Sequence, residues 1–184
     1  MNMWEQLYFE KYVKKMRTSC IPDYDFNHYP WQWRIVVNEI LAYAEENPQE
    51  EAKIFLGDIN LRFYGPSLLD RIKELVKKGC KFNIVLAESP DKNMMLLWQD
   101  LAKSEKVTVR MKPKYSNKLC HLVLVGTAYR IELPHDKFEG SVTDDTPEQK
   151  ARFGFYEREF AQRLEAYWHK KIITDDLVDL HVAA

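Results

Sequence analysis

The chain is poor in the residues that mark a cofactor loop or a disulfide scaffold. Only six glycines occur among 184 residues, scattered singly. Neither G-x-x-x-x-G-K nor G-x-G-x-x-G appears, so no phosphate-cradling glycine loop exists. The three cysteines, Cys20, Cys80 and Cys120, are widely spaced and odd in number. That spacing excludes a zinc pattern and a disulfide framework, and points to reduced thiols. His28, in DFNHYP, has no partner at ligand spacing. No metal and no cofactor is therefore expected. Long apolar runs are also lacking: none approaches the ~20 residues needed to cross a bilayer. The opening MNMWEQLYFEKYVKK has no signal-peptide core before charges interrupt it. These absences lead us to expect a cytoplasmic protein with no membrane partner. No sign of charge dominates either. Lys and Arg number 27 against 28 Asp and Glu, a formal net charge of -1, so any anion-binding surface must be a local patch.

What is present is enough for one domain with an apolar core. Apolar residues make up 46 % of the chain, and the length suits a single domain with a helical extension. Residues 2–18 place Trp4, Leu7, Tyr8, Tyr12 and Met16 at helical spacing. Such an aromatic stripe is usually core, but it also suits a protein interface. CIPDYDFNHYP, with two prolines and several Asp and Asn residues, is expected to be a loop. A helix follows over about 31–46. Then come a strand (AKIFLGDI), a helix (PSLLDRIKELVKKG), a strand (KFNIVLAE), a helix (MMLLWQDLAKSE) and an alternating strand (KVTVRMK). A hairpin lies in CHLVLVGTAYRIE, a polar loop over about 134–150, a strand in ARFGFYE and a last helix in EFAQRLEAYWHKK. The tail IITDDLVDLHVAA is ambiguous. This order predicts an α/β fold: a mixed sheet flanked by helices on both faces. We expect an N-terminal helix and loop over 1–30, the α/β domain over 31–171, and a C-terminal tail over 172–184.

The hairpin gathers charged residues into an apolar strand pair. If Gly126-Thr127 is a two-residue turn, Val125 faces Ala128, Val123 faces Arg130, and His121 faces Glu132. Side chains directly across an antiparallel pair share a face, ~5 Å apart. His121, Arg130 and Glu132 would then project together. A carboxylate beside an imidazole raises its pKa and fixes its orientation, and a guanidinium offers a planar fork suited to phosphate. Two readings follow. Arg130 holds an anion beside His121, or Arg130 and Glu132 form a structural ion pair and His121 is a core residue. His135, just past the strand, could swing over the same site. Asp58 and Asn60 follow the first strand of the AKIFLGDI piece, where ligand sites gather in open sheets, although turn chemistry also favours them there. VRMKPKYSNK carries Arg110, Lys112, Lys114 and Lys118 around Tyr115, a composition that suits either a nucleic-acid backbone or a solvated connector.

Over residues 33–171 the succession KIFLGDINLRF, KKGCKFNIVLAE, KVTVRMKP, CHLVLVGTAYRIE and ARFGFYEREFAQRLEAYWHK resembles the phospholipase D-like fold. In that family the hairpin strand carries H-x-K-x4-D. The resemblance implies a histidine that attacks phosphorus or protonates the leaving group, a lysine that grips phosphate oxygens, and two motif copies meeting in one site. Here His121 stands at the histidine position, but Val123 replaces the lysine and Ala128 the aspartate. The resemblance thus implies a degenerate domain that binds a phosphate-bearing ligand, nucleic acid among the candidates, or a protein partner, without cleavage. It also implies a homodimer. The alternatives are a dimeric nuclease or phosphodiesterase with His121 and Glu132 as catalytic groups, and a structural assembly subunit.

Overall fold

The computed structural model describes residues 2–27, 29–56, 66–87, 92–113, 121–132 and 151–180. Helix α1 (Met3–Ser19) starts where the Asn2 side chain accepts the Trp4 N–H at 3.0 Å, which satisfies one orphan donor of the first turn. It ends at Cys20, whose φ of 55° turns the chain left-handed. Strand β1 (Asp23–Asn27) and helix α2 (Pro30–Glu46) follow. Proline at the first helical position of α2 has its φ already set for a helix and lacks only a donor that would be orphaned anyway. The chain then runs β2 (Glu51–Leu56), α3 (Pro66–Lys77), β3 (Lys81–Leu86), α4 (Lys92–Ala102) and β4 (Val107–Met111). The hairpin is β5 (His121–Val125) and β6 (Ala128–Glu132). Last come β7 (Ala151–Phe155), α5 (Arg158–Tyr167), a π-helical turn (Trp168–Ile172) and the short β8 (Val178–Asp179).

These strands form one eight-stranded mixed sheet in the order β1-β7-β6-β5-β2-β3-β4-β8. Strands β2, β3 and β4 are parallel, and every other pairing is antiparallel. The α/β expectation holds, and it holds for a physical reason. Parallel neighbours need a crossover, so helices α3 and α4 lie between them in sequence. One face of the sheet, through Ala52, Ile54, Phe82, Ile84, Val125 and Phe155, packs on helices α1 to α4. The other, through Phe55, Val85, Leu122, Leu124 and Tyr129, packs on α5 and the π-helical turn, where Trp168 and Ile172 are wholly buried. Burying each such large side chain contributes about 1.5–3 kcal/mol.

One expectation needs correction. The stretch Cys20–Pro30 is not all loop: Asp23–Asn27 pairs antiparallel with β7 across five residues. Its prolines fall just outside the strand, and an edge strand has only one ladder to satisfy, so weak β formers suffice. The tail also joins the sheet, through Val178 and Asp179 on β4. Strands β1 and β8 thus form the two edges of the sheet.

Candidate functional site

The hairpin register is the one the turn chemistry demands. Val125 stands across from Ala128, Val123 from Arg130, and His121 from Glu132. Gly126 has a φ of 52°, while Thr127 is not among the residues with positive φ. Only the first central position of the turn therefore requires glycine. His121 also lies at a particular place in the sheet. β5 runs antiparallel to β2, so His121 begins its strand at the end where β2, β3 and β4 finish and where Glu132 closes β6. Helix α2 begins at this end too: its Trp33 ring sits 5.6 Å from the Arg130 guanidinium carbon.

Arg130 is 2 % exposed and Glu132 6 %. They are joined by an ion pair in which Arg130 Nη1 donates to Glu132 Oε2 at 3.1 Å. Burying either charge alone would be costly, and pairing makes both tolerable. His121 is only half-buried, and its ring stands edge-on to Phe55 with centroids 6.4 Å apart. The site is thus a buried cation and anion with an imidazole across from the anion at the margin of the sheet. An anion approaching Arg130 competes directly with the Glu132 carboxylate.

Lys112 does not extend the site as a surface lysine would. It is 5 % exposed. Its ammonium donates to the Ile172 carbonyl at 3.3 Å and to Thr174 Oγ1, with the Asp176 carboxylate 3.6 Å away. A long apolar stem lets the charge reach the end of the π-helical turn, whose last carbonyls lack helical partners. Arg110 likewise donates to Asn83 Oδ1 at 2.8 Å within the sheet. Lys114, Lys118, His135, Asp58, Asn60, Tyr115, Cys120 and His28 lie outside the described residues. Among the described residues no group of three or more His, Cys, Asp or Glu could hold a metal ion, and no helix is long and apolar enough to cross a membrane.

A second polar cluster, absent from the sequence reading, lies on the α5 side. Arg152 Nε donates to Tyr129 Oη at 2.9 Å, and its Nη2 donates to both Glu157 oxygens at 2.9 and 3.0 Å. Tyr129 donates its own hydroxyl to Glu157. The guanidinium is sandwiched between the rings of Tyr24 at 3.9 Å and Phe160 at 4.0 Å. Burial, then the Glu157 carboxylate, pushes the Tyr129 phenol well above its ordinary pKa. Gly154 makes the cluster possible: a Cβ there would stand 2.8 Å from Tyr129 Oη, 2.9 Å from the Asp23 carbonyl and 2.9 Å from Glu157 Oε2. The one sequence signal was this glycine inside ARFGF, since glycine within a strand marks a close approach.

No protein-family model matches the chain, and no match is found among curated proteins. Among solved structures, the fold is similar to that of TrmBL2, described as an archaeal chromatin protein with a novel mode of DNA binding. That likeness has a TM-score of 0.51 at 16 % identity and covers 91 % of this chain and 60 % of that one. The fold is also similar to part of polyphosphate kinase from Porphyromonas gingivalis, with a TM-score of 0.55 at 5 % identity, over 84 % of this chain and 23 % of that one. The chain spans less than two thirds of the length of either protein, and at these identities the likeness is one of fold alone.

Proposed function

We propose that the chain is a binding domain of phospholipase D-like fold that recognises a phosphate-bearing ligand, nucleic acid first among them, without cleaving it. The observation that carries this reading is the hairpin: His121 across from Glu132, with Glu132 paired to Arg130, at the end of the sheet where the parallel strands finish. The fold supports it. One structure of similar fold is a polyphosphate kinase, an enzyme named for a phosphate polymer, and another, TrmBL2, binds DNA. The ligand contacts are assigned to His121 and Arg130, with Glu132 orienting both, and to Lys114, Lys118 and His135, which flank the hairpin in sequence.

The loss of cleavage follows from two positions. Val123 and Ala128 stand where the family has lysine and aspartate, and both are buried in the apolar core. No cation can replace Val123 there without a partner. A positioned cation supplies much of the stabilisation of a phosphoryl-transfer transition state, so its absence costs orders of magnitude in rate while leaving binding possible. The experiment is an anisotropy titration with single- and double-stranded oligonucleotides across a salt series, beside an assay with bis-p-nitrophenyl phosphate. The reading expects affinity that falls linearly on a log–log salt plot, weakens in His121→Ala, and comes with no hydrolysis. Hydrolysis lost in His121→Ala would instead establish a phosphodiesterase. An absence of binding to any phosphate-bearing probe would overturn both.

A further inference from the structure

Helix α1 turns one side to the core, through Val13, Met16 and Arg17. Arg17 donates to Glu39 Oε2 at 2.7 Å and to Glu46, tying α1 to α2. The opposite side is unusual. Trp4 is 73 % exposed, Tyr8 76 %, Met3 67 % and Leu7 40 %, and Lys11, Lys14 and Lys15 are exposed on the same helix. Trp4, Tyr8, Lys11 and Lys15 recur at spacings of four, three and four, which puts them within an arc of about 60°. The stripe is polar in sequence direction: aromatic over its first half, cationic over its second. Contiguous exposed apolar side chains of this kind mark interaction surfaces.

We infer that this face of α1 is an interface with a second copy of the chain, the two helices lying antiparallel. The stripe is complementary to itself in that arrangement alone. A twofold axis between residues 9 and 10 brings Trp4 onto the partner's Lys15 and Tyr8 onto the partner's Lys11. By symmetry the partner's Trp4 and Tyr8 meet Lys15 and Lys11. Each contact sets an ammonium and its methylene stem against an aromatic face, the geometry of a cation–π pair. A parallel pairing would place lysine against lysine, which is repulsive. The overlap from Trp4 to Lys15 runs about 18 Å along the helix. The two aromatic rings alone leave about 300 Å² of side chain to water, against the ~800 Å² that each partner buries in a standard interface. The association therefore belongs at the weak, reversible end of the range. It does not depend on the ligand reading, because it uses none of the hairpin residues.

Sedimentation velocity of the full chain tests it. The wild-type chain is expected to dimerise at about 100 μM, as befits a small interface. Trp4→Ala and Lys15→Ala each remove both symmetric copies of one contact and should weaken the dimer roughly tenfold or more. Both positions are exposed, and far-UV circular dichroism confirms that the variants fold. The decisive step is to mix the two variants. A mixed dimer regains one intact Trp4–Lys15 contact, so the mixture should associate more tightly than either variant alone. A wild-type chain that stays monomeric near 500 μM, well beyond the weak range, overturns the inference. So do variants that dimerise like wild type, or a mixture no tighter than its components. An oligonucleotide that binds the monomer and is lost in both variants would overturn it in favour of a nucleic-acid surface.

Discussion

Arg130 and Glu132 are the pair on which the site's chemistry and its stability both turn. With Arg130 2 % exposed, Glu132 6 % exposed and 3.1 Å between them, removing one partner takes an ion pair away from a charge that stays buried. Such a loss costs about 3–5 kcal/mol. Arg130→Met keeps an unbranched apolar stem beside Trp33, so most of its cost is electrostatic, with ~1 kcal/mol more from the lost cation–π contact. Glu132→Gln keeps shape and volume. The double variant Arg130→Met/Glu132→Gln should be clearly less unstable than the two single effects summed, by about 2 kcal/mol or more, within the range seen for directly coupled residues. Urea unfolding followed by tryptophan fluorescence measures all four corners of the cycle. In a chain of this size each kcal/mol is worth about 2–4 °C in Tm, so the single variants should melt roughly 10 °C early. The same double variant separates structure from binding. If Arg130 reaches the ligand, the refolded pair variant still loses about tenfold or more in phosphate affinity, the worth of one charge-assisted hydrogen bond. Single effects that add within ~0.5 kcal/mol would refute the pairing argument. An unchanged ligand affinity in the double variant would confine Arg130 to a structural role.

Gly154→Ala drives a methyl into Tyr129, the Asp23 backbone and Glu157. It should cost about 2–3 kcal/mol and raise hydrogen exchange along β1 first; exchange unchanged there would contradict the close approach. Lys112→Met leaves the Ile172 carbonyl and Asp176 without their ammonium, which should destabilise by about 1–3 kcal/mol while oligonucleotide affinity stays the same, because the charge points inward. Hydrogen bonding to Thr174 and then the Lys112 charge hold the Asp176 carboxyl below its ordinary range. Hydrogen bonds from Lys78 and Arg71 do the same for Glu45, and those from Lys73 and Lys103 for Asp100. Folded-state values below the unfolded ones mean that the unfolded chain takes up more protons as pH falls. The contribution of these carboxylates is complete above about pH 5 and is lost progressively on acidification below it; a stability that rises as pH falls from 5 to 3 would reverse the sign.

Much of the architecture was legible because local and tertiary signals agreed. Alternation and apolar runs located β2 to β7, and one glycine followed by threonine set the hairpin register to the residue. That register stands Glu132 across from His121 and puts Arg130 two residues back on the same face as Glu132, while the His121 ring meets Phe55, a member of the cluster under α5; a slip of one position would have broken the His121–Glu132 pairing. Strand β1 was illegible although DYDFN alternates polar and aromatic residues, because its Asp and Asn residues and the prolines on either side of it carry turn signals; pairing with β7 makes it a strand. The inward turn of Lys112 was invisible for a similar reason. Its acceptors lie 60 residues or more along the chain, at Ile172 and beyond, and nothing local distinguishes it from the exposed lysines of α1. The Tyr129–Arg152–Glu157 cluster joins three elements, and only Gly154 hinted at it.

The central claim is that a phosphate-bearing ligand is held at His121. Side-chain NMR of the imidazole carbons, with His169 as an internal control, tests it most directly, because His169 lies on the helical cover paired to Glu165 at 2.9 Å. Titration with pyrophosphate or a short oligonucleotide should move the His121 resonances saturably and leave those of His169 in place. His121 signals that stay fixed while ligand binds elsewhere on the chain would contradict the account.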